Sequence, residues 1–504
     1  MKYTLFVMRS LARVYRPVLY FGLVCVAVLA VAHILAVLFI FSQRAAYPFD
    51  LEWVENQIFE CVSRVMRGAP VYAPASVDFT GDIYTPLFYF VSAPFAALFG
   101  EGLPALRLVS ILATLGSFGL IGLLVWRGSG SRVMALIAAG CFAATYEPSG
   151  VTFDLARTDS LSLAWMLGVA FVAWTGRTRR AAVLAGALVA LTWMTKQSHL
   201  VALPLVLLAG FGGQWRLRVM AIASAAVSSL IAALFLQVYS AGQAWPYILT
   251  LTSQQPFFLD RIPQFLSREL LNVLPALCVM ALAGAGWFAR KKDWFWLALL
   301  AGGVMTSLLP RIKVGGSINT LMPAYAVIVI VAGVTLGRLI HAVQSSIGKS
   351  ERMRYARAGL CVLAVAACGY QLVRLRYDPT RHIPTASDFA QRQRMVEDIR
   401  QINGEVWIPA HSVLARLAGK RAYTQSSVSL QFNVNDTGLA EQQLLEQERA
   451  AVEQGRFAAI LIDPRRDLFI REWINPDTYR FEEKSATPPR PEQSTLPTWW
   501  YYKR

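Results

Sequence analysis

The sequence predicts a polytopic α-helical membrane protein of about 11 transmembrane helices, with juxtamembrane helices in the first external loop and a small C-terminal α/β domain. Of its 504 residues, 55% are hydrophobic and only 16% are charged, whereas soluble proteins carry about 25% charged residues. Long apolar runs without charges recur along the chain up to residue 375. Beyond that point the composition becomes charged, and short alternating segments replace the apolar runs.

The predicted spans fall into two groups. Clear stretches can cross a hydrocarbon core of about 30 Å at 1.5 Å per residue, and they are residues 18–42, 108–126, 217–239, 270–289, 320–340 and 358–375. Others are shorter or carry polar residues but are flanked by turn or charge signals, and they are residues 132–146, 158–176, 181–197, 199–213 and 294–310. The first run lacks the short core and cleavage site of a signal peptide, so we expect it to be retained.

The stretch Tyr84–Gly100 decides the topology, because it is apolar but contains two prolines and adjoins acidic loops. If this stretch lies in the membrane interface and does not cross the bilayer, the basic residues are concentrated in the cytoplasmic loops, as the positive-inside rule requires. These residues include Arg127, Arg132, Arg177, Arg179, Arg180, Arg216, Arg218, Arg290, Lys291, Lys292, Arg338, Lys349, Arg352, Arg354 and Arg357. We therefore expect a cytoplasmic N-terminus and an external C-terminal domain, with the net charge of +17 reflecting topology and not nucleic-acid binding.

We expect the chain to divide into a transmembrane domain at residues 1–375, with its external loop at 43–106, and an external α/β domain at 376–504. In the second domain, residues 404–409, 457–463 and 499–503 have the short apolar pattern of strands. The segments 387–402 and 439–454 have helical spacing. Of the six cysteines, only Cys61 lies in a polar segment, so no disulfide framework is expected.

Ionisable residues at membrane depth indicate function by default, and two acidic segments qualify. FDLEWVE (residues 49–55) places Asp50, Glu52 and Glu55 just outside the first span; its alternative role is a solvated helix cap. FDLARTDSLSLAW (residues 153–165) brings Arg157 and Asp159 into an apolar span, where a buried structural ion pair is the alternative.

Two cationic segments lie on the same face. Lys196 in WMTKQSHL has no acidic neighbour in sequence, although it could extend harmlessly to the interface. Arg311 and Lys313 share an external loop with Asn319, a loop that could equally be a flexible turn. Cations kept outside against the topological trend suggest a bound anion, and the nearby carboxylates suggest a hydroxyl acceptor.

Sugar transfer from a lipid-linked phosphate needs this set of groups. A carboxylate takes the proton of the incoming hydroxyl, and cations offset the charge on the departing phosphate. The chain has no GxxxxGK[ST] phosphate loop and no HExxH or Cys/His cluster, so ATP-driven transport and zinc hydrolysis have no support. We expect no cofactor and no metal site, although a divalent cation is not excluded.

Several motifs carry a resemblance along residues 15–375. After the acidic motif come Gly68-Ala-Pro70-Val-Tyr72, an aromatic-proline element Tyr84-Thr-Pro86-Leu-Phe88-Tyr89, and then Arg107. In this order the chain resembles GT-C-type integral membrane glycosyltransferases, in particular the family-39-like bacterial relatives of protein O-mannosyltransferases and lipid A aminoarabinose transferases. In those relatives the aromatic-proline element is a juxtamembrane helix of the first external loop.

The resemblance implies a polyprenyl-phosphate-linked sugar donor, reached from the outer leaflet of a bacterial inner membrane, and a lipid, polysaccharide or protein acceptor. It implies Asp50 as the general base, but a leucine separates Asp50 from Glu52 here, so either carboxylate could serve. Asp159 would orient Arg157. The remaining site residues it suggests are Arg157, Lys196, Arg311 and Lys313 for the donor phosphate, and Tyr72, Tyr84 and Asn319 for substrate.

Two other functions stay open. A flippase or transporter for lipid-linked sugars could also line its path with cations and carboxylates, but the Gly/Pro-interrupted internal repeats common in transporters are not evident. A polysaccharide ligase or polymerase usually carries its large external loop late among the spans. Here the long acidic loop follows the first span, which favours the glycosyltransferase.

Overall fold

The computed structural model describes residues 2–344, 351–427, 439–484 and 496–504. Its first part is helical throughout. The helices up to residue 239 are α1 Lys2–Arg44, α2 Val54–Met66, α3 Leu87–Phe99, α4 Leu103–Ser129, α5 Arg132–Ala143, α6 Thr158–Thr175, α7 Arg179–Thr195, α8 Leu203–Ala209 and α9 Trp215–Tyr239. Two short 3₁₀ segments, Gln197–Ala202 and Phe211–Gly213, flank α8 and break the predicted span 199–213 into three pieces.

The second half of the helical part is less regular. It begins with a π-helical turn, Pro246–Leu251, which leads into α10 Thr252–Gln254. Next, α11 Arg261–Gln264 leads into a second π-helical turn, Phe265–Leu271. The remaining elements are α12 Pro275–Arg290, α13 Trp294–Arg311, a 3₁₀ turn Ile318–Leu321, α14 Met322–Gln344 and α15 Glu351–Arg374. Every predicted span therefore contains helix. The stretch Tyr84–Gly100 contains the short helix α3, and its juxtamembrane placement stays a prediction.

Five helices in the described ranges are long and apolar enough to cross a membrane, namely Pro17–Arg44, Leu103–Ser129, Trp215–Tyr239, Ile318–Val343 and Ala356–Arg374. A sixth span results if Arg261–Leu271 and Pro275–Arg290, which meet at 103°, count as one. Large apolar side chains such as Phe21, Val238 and Leu363 point outward, as lipid-facing positions do. The number of eleven spans stays a prediction.

Helix α14 forms the centre of the bundle and contacts α4, α5, α12, α13 and α15. Small residues allow the outer helices to approach closely, as is common between membrane helices. Helix α5 crosses α1 at Gly140, where a Cβ atom would overlap both the backbone and the side chain of Ala30. This crossing holds α1, which leads into the external loop, against the bundle.

We expect Gly140→Ala to lower the stability of the protein by about 1–3 kcal/mol, because the added methyl group must push α1 and α5 apart. The unfolding midpoint in detergent measures the effect. Gly119→Ala on α4 is the matched control, since a Cβ there meets no atom within 4 Å. Equal midpoints for the two variants would contradict the close packing.

The C-terminal part contains helices and a four-stranded sheet. Its elements are α16 Ala386–Gln401, β1 Val406–Trp407, α17 Ser412–Leu417, α18 Leu439–Glu453, β2 Ala459–Ile462, β3 Tyr479–Glu483 and β4 Trp499–Lys503. The strand order is β1-β2-β4-β3, with β1 and β2 parallel and the other two pairs antiparallel. Three strands and the two predicted helices, α16 and α18, lie where the sequence predicts them, whereas α17 and β3 were not expected. The elements of this part contact the external loop directly.

Candidate active site

The start of the external loop is held by one buried arginine. Arg107 on α4 is fully buried, and its guanidinium donates to both carboxylate oxygens of Glu55 at 2.7 and 2.8 Å. Its remaining donors reach the carbonyl oxygens of Tyr47 at 2.6 Å and Phe49 at 2.7 Å. Because the planar guanidinium can make all these bonds at once, Arg107 fixes the segment that carries Asp50 and Glu52.

A charged network connects this loop to α6 and α7. Arg157 donates to Glu52 Oε2 at 2.8 Å through Nη1 and to Asp159 Oδ2 at 3.2 Å through Nε. Asp159 Oδ1 accepts from Lys196 Nζ at 2.5 Å and from Asn319 Nδ2 at 2.8 Å. The structure thus brings together five residues that the sequence predicts to be functional, from four separate segments.

Glu52 is the member of this network that opens outward. Its side chain keeps 24% exposure, against 3% for Asp159. Burial raises the pKa of Glu52 above its usual value even though Arg157 opposes the shift. A carboxylate that is accessible and more basic than usual fits the requirements of a general base.

Asp50 lies in a different environment. It is fully buried, and its carboxylate pairs with His411 Nδ1 at 2.8 Å and with Arg392 Nη1 at 3.1 Å, both from the C-terminal part. It lines neither of the two cavities described below. Asp50 is thus enclosed by the C-terminal part, whereas Glu52 lines both cavities, and the expected role of Asp50 as the base stays a prediction.

Further contacts join the same loop to the C-terminal part. The side-chain amide of Asn56 bonds the carbonyl oxygen of Ala410 at 3.1 Å and the amide of Val413 at 2.9 Å. Glu60 pairs with Arg416 at 2.5 and 2.8 Å. Together with the pairs of Asp50, these contacts clamp the first turns of the external loop. We refer to residues 392–416 as the clamp segment.

His411 makes the clamp sensitive to pH. Burial alone would lower the pKa of His411, but Asp50 and Asp463 on either side of the ring outweigh burial and raise that pKa to about 9. A folded-state pKa above the ordinary value of 6.5 means that the stabilisation is complete below about pH 6.5 and is lost as the pH rises through about 9.

We therefore expect the stability difference between wild type and His411→Asn to shrink as the pH increases from 6.5 to 9. Unfolding midpoints of both proteins in detergent, measured across this range, provide the comparison. His341→Asn on the opposite end of the bundle, where the histidine is exposed, controls for general effects of histidine removal. A difference that is constant or increases with pH would contradict the charged state of His411.

Two cavities meet at Glu52. The first, of about 620 Å³, combines polar groups with an apolar wall, and we call it the amphiphilic cavity. Its polar lining includes Glu52, Tyr84, Arg157, Lys196 and Lys313, and its apolar lining includes Val201, Phe257, Leu309, Pro310 and Val314. The second, of about 850 Å³, is the polar cavity, lined among others by Glu52, Trp53, Arg157, Arg261, Glu269, Arg311 and Arg466.

The remaining predicted residues are distributed around these cavities. Lys313 reaches into the amphiphilic cavity, with its ammonium 4.7 Å from the ring centre of Phe257 and 2.7 Å from the carbonyl oxygen of Thr252. Arg311 lines only the polar cavity and is paired with Glu269 at 2.5 Å. Among these residues, Lys313 thus has the more accessible charge for a donor phosphate.

The two predicted substrate tyrosines differ. Tyr84 lines the amphiphilic cavity, with the ammonium of Lys196 5.2 Å from its ring centre. Tyr72 is buried and donates its hydroxyl to the carbonyl oxygen of Tyr84 at 2.5 Å. Tyr72 therefore stabilises the backbone at Tyr84 and lines neither cavity.

The cavity residues outside the predicted set include Asp82 and Arg466. Asp82 lines the amphiphilic cavity, and burial raises the pKa of its carboxyl group to about 6 despite bonds from Tyr89 and the amide of Ile83. Arg466 comes from the C-terminal part and stacks on Trp53 with its guanidinium 4.6 Å from the ring centre. The acidic cluster before Tyr84 could have drawn attention to Asp82, but no sequence signal links Arg466 to this site.

No group of three or more His, Cys, Asp or Glu able to hold a metal ion occurs in the part of the chain that the structure describes. All six cysteines lie within that part and are free thiols.

The sequence profile of glycosyltransferase family 87 matches residues 83–366, more than half of the chain. The chain belongs to glycosyltransferase family 87. No curated protein matches it by sequence. The matched region of this family 87 protein includes Arg157, Asp159, Lys196, Lys313 and Asn319, whereas Glu52 lies before it.

Solved structures of GT-C-type enzymes have the same fold. The crystal structure of ArnT from Cupriavidus metallidurans bound to undecaprenyl phosphate superposes with a TM-score of 0.55, covering 94% of this chain and 97% of that one at 12% identity. The apo oligosaccharyltransferase from Archaeoglobus fulgidus gives a TM-score of 0.50, covering 96% of this chain and 74% of that one at 12% identity. The expected GT-C-type membrane glycosyltransferase is confirmed, with family 87 as the matching family.

Proposed function

We propose that this family 87 protein transfers a sugar from a polyprenyl-phosphate donor to an acceptor hydroxyl on the external face of the membrane, with Glu52 as the general base. One observation carries the proposal. The amphiphilic cavity joins the accessible carboxylate of Glu52 to the cations Arg157, Lys196 and Lys313 under an apolar wall. Such a cavity suits a ligand with a phosphate, a sugar and a hydrocarbon chain.

The apolar wall accounts for the lipid end of the donor. Leu309, Pro310 and Val314 lie beside Phe257, which is 49% exposed. A prenyl chain on this wall would bring its phosphate to Lys313 and Arg157. The ArnT structure, similar in fold, was solved with undecaprenyl phosphate bound, which supports a ligand of this class.

In the proposed reaction, Glu52 removes the proton from the acceptor hydroxyl as its oxygen bonds to the anomeric carbon. The bond between that carbon and the phosphate oxygen breaks, and the phosphate leaves with the electron pair. Arg157 and Lys313 offset the developing negative charge. Arg157 also couples the deprotonation of the acceptor to the departure of the phosphate. A phosphate that attracts the guanidinium of Arg157 weakens the hydrogen bond from Arg157 to Glu52, and the carboxylate of Glu52 then becomes more basic.

Asp159 serves as a positioning residue in this scheme. Its two oxygens hold Arg157, Lys196 and Asn319 at distances of 3.2, 2.5 and 2.8 Å. It is 3% exposed and lines neither cavity. It therefore orients the cations and does not meet the substrate.

The purified full-length protein provides the test. It is incubated in detergent with a radiolabelled polyprenyl-phosphate sugar pool and a membrane extract that supplies acceptors. The proposal expects labelled product together with free polyprenyl phosphate. A flippase would move the labelled lipid across a vesicle membrane and leave it intact, and a ligase or polymerase would require a preassembled glycan on a lipid carrier.

Lys313→Ala should raise the KM for the lipid donor about tenfold while changing kcat less, because the ammonium contacts the phosphate in the ground state as well as in the transition state. Lys291→Ala is the matched control, as that exposed lysine lies in the turn between α12 and α13. Initial rates at varied donor concentration distinguish the two. An unchanged KM for the donor in Lys313→Ala would remove Lys313 from the phosphate site.

A further inference from the structure

The polar cavity has no role in holding the lipid donor as proposed above. It shares Glu52, Trp53, Arg157 and the turn Gly315–Ser317 with the amphiphilic cavity, but its remaining walls differ. Only glycine fits at position 316 in this shared turn, because a Cβ atom there would overlap the carbonyl oxygens of Pro310 and Arg311. Glu52 therefore lines both cavities.

The charges of the polar cavity are unevenly compensated. Arg311 is neutralised by Glu269, and Arg157 by Glu52 and Asp159. Within the described ranges, neither Arg261 nor Arg466 has a carboxylate within 4 Å. Arg261 instead donates to the carbonyl oxygen of Lys313 at 3.1 Å. Among the described residues, Arg261 and Arg466 thus line this space without a paired carboxylate, and the other lining carboxylate, Glu147, is paired with neither of them.

The pairing of Arg466 with Trp53 indicates the kind of ligand. The guanidinium lies 4.6 Å from the ring centre of Trp53, so a flat aromatic surface and a planar cation adjoin at the cavity wall. Trp53 holds the guanidinium of Arg466 at this wall, and a guanidinium binds a carboxylate or phosphate with two parallel hydrogen bonds. The polar cavity offers few apolar side chains for contact with a neutral lipid.

From these observations we infer that the polar cavity is the acceptor site, and that it selects a saccharide carrying a carboxylate or a phosphate group through Arg466 and Arg261. The inference rests on the proposed function, because the acceptor hydroxyl must reach Glu52 from the side opposite the donor. It also gives the C-terminal part, which supplies Arg466, a direct role in substrate selection.

The test measures binding to the full-length protein in detergent with two pairs of probes that differ in charge. The first pair is digalacturonic acid and its carboxyl-reduced analogue, and the second is mannose 6-phosphate and mannose. Isothermal titration calorimetry gives the dissociation constants for wild type, Arg466→Ala and Arg471→Ala. Arg471 is the matched control, since it is also exposed and stacks on a tryptophan, Trp499, at 5.1 Å.

We expect wild type and Arg471→Ala to bind at least one anionic probe about tenfold more tightly than its neutral partner, and Arg466→Ala to lose this preference. The pair that shows the preference distinguishes a carboxylate from a phosphate. Undecaprenyl phosphate at saturating concentration should not displace the probe.

Three results would overturn the inference: no charge preference in wild type, an equal preference in Arg466→Ala, or displacement of the probe by undecaprenyl phosphate, which would put both ligands in one cavity. The proposed function fails separately. A protein that binds the anionic probe but transfers no sugar in the radiolabel assay contradicts the transferase reaction, whereas transfer without charge preference contradicts only the acceptor assignment.

Discussion

Glu52→Gln is expected to reduce sugar transfer at least about a hundredfold, the usual loss when a positioned general base is removed. Glutamine has the same shape and keeps the bond from Arg157, so the donor should still bind. Asp50→Asn should retain transfer within a small factor for the folded fraction, because Asp50 faces His411 and Arg392 instead of a cavity. Initial rates on monodisperse protein, with Glu101→Gln as an exposed carboxylate control, provide the comparison.

The pH profile adds a second measurement. A base must be deprotonated to act, so the wild-type rate should fall as the pH decreases through the pKa of Glu52, which burial raises above its usual value. This acidic limb should be absent from the residual activity of Glu52→Gln. Full transfer by Glu52→Gln, or a hundredfold loss in well-folded Asp50→Asn, would return the role of base to Asp50.

Arg107→Met should lower the stability of the protein by about 3–5 kcal/mol, because it leaves the carboxylate of Glu55 buried without its counter-charge. Both side chains of this pair are fully buried. The variant also frees the carbonyl oxygens of Tyr47 and Phe49, so it should loosen the segment that carries Glu52. Unfolding midpoints in detergent measure the first effect, and limited proteolysis of the loop measures the second.

The matched control is Arg67→Met, which breaks an arginine–glutamate pair of similar length, 3.1 Å, between side chains that are 50% and 36% exposed. Exposed pairs contribute about 0–1 kcal/mol, so this variant should be close to wild type. If both arginine variants lost the same stability, burial would not be the source of the effect at Arg107.

The helical part could be predicted well, because long apolar runs and the placement of arginines both depend on the membrane itself. The stretch that the charge pattern assigns to the interface contains the short apolar helix α3. Strand β3 was missed because its sequence, YRFEE, is charged and it lies at the edge of the sheet with several side chains exposed. Such an edge strand lacks the apolar signal on which recognition from sequence depends.

The site was only partly predictable. Arg157, Asp159, Lys196 and Asn319 do meet in one network, as their positions at the outer ends of helices suggest. The choice between Asp50 and Glu52, two residues apart, depends on His411, more than three hundred residues away in the chain. Arg311 was expected to bind phosphate, but it is paired with Glu269, which lies in the π-helical turn Phe265–Leu271 more than forty residues earlier in the chain. Because the members of these pairs are distant in sequence, no local sequence pattern reveals the pairing.

The clamp segment has a consequence for the order in which the protein is completed during synthesis. Chains emerge from the ribosome N-terminus first, at about 5–20 residues per second, so Arg107 can capture Glu55 while most of the bundle is still unmade. His411, Arg392 and Arg416 reach Asp50 and Glu60 only after the last membrane helix has been inserted. We therefore expect the membrane helices to be inserted before the contacts between the clamp segment and the loop at residues 43–106 form.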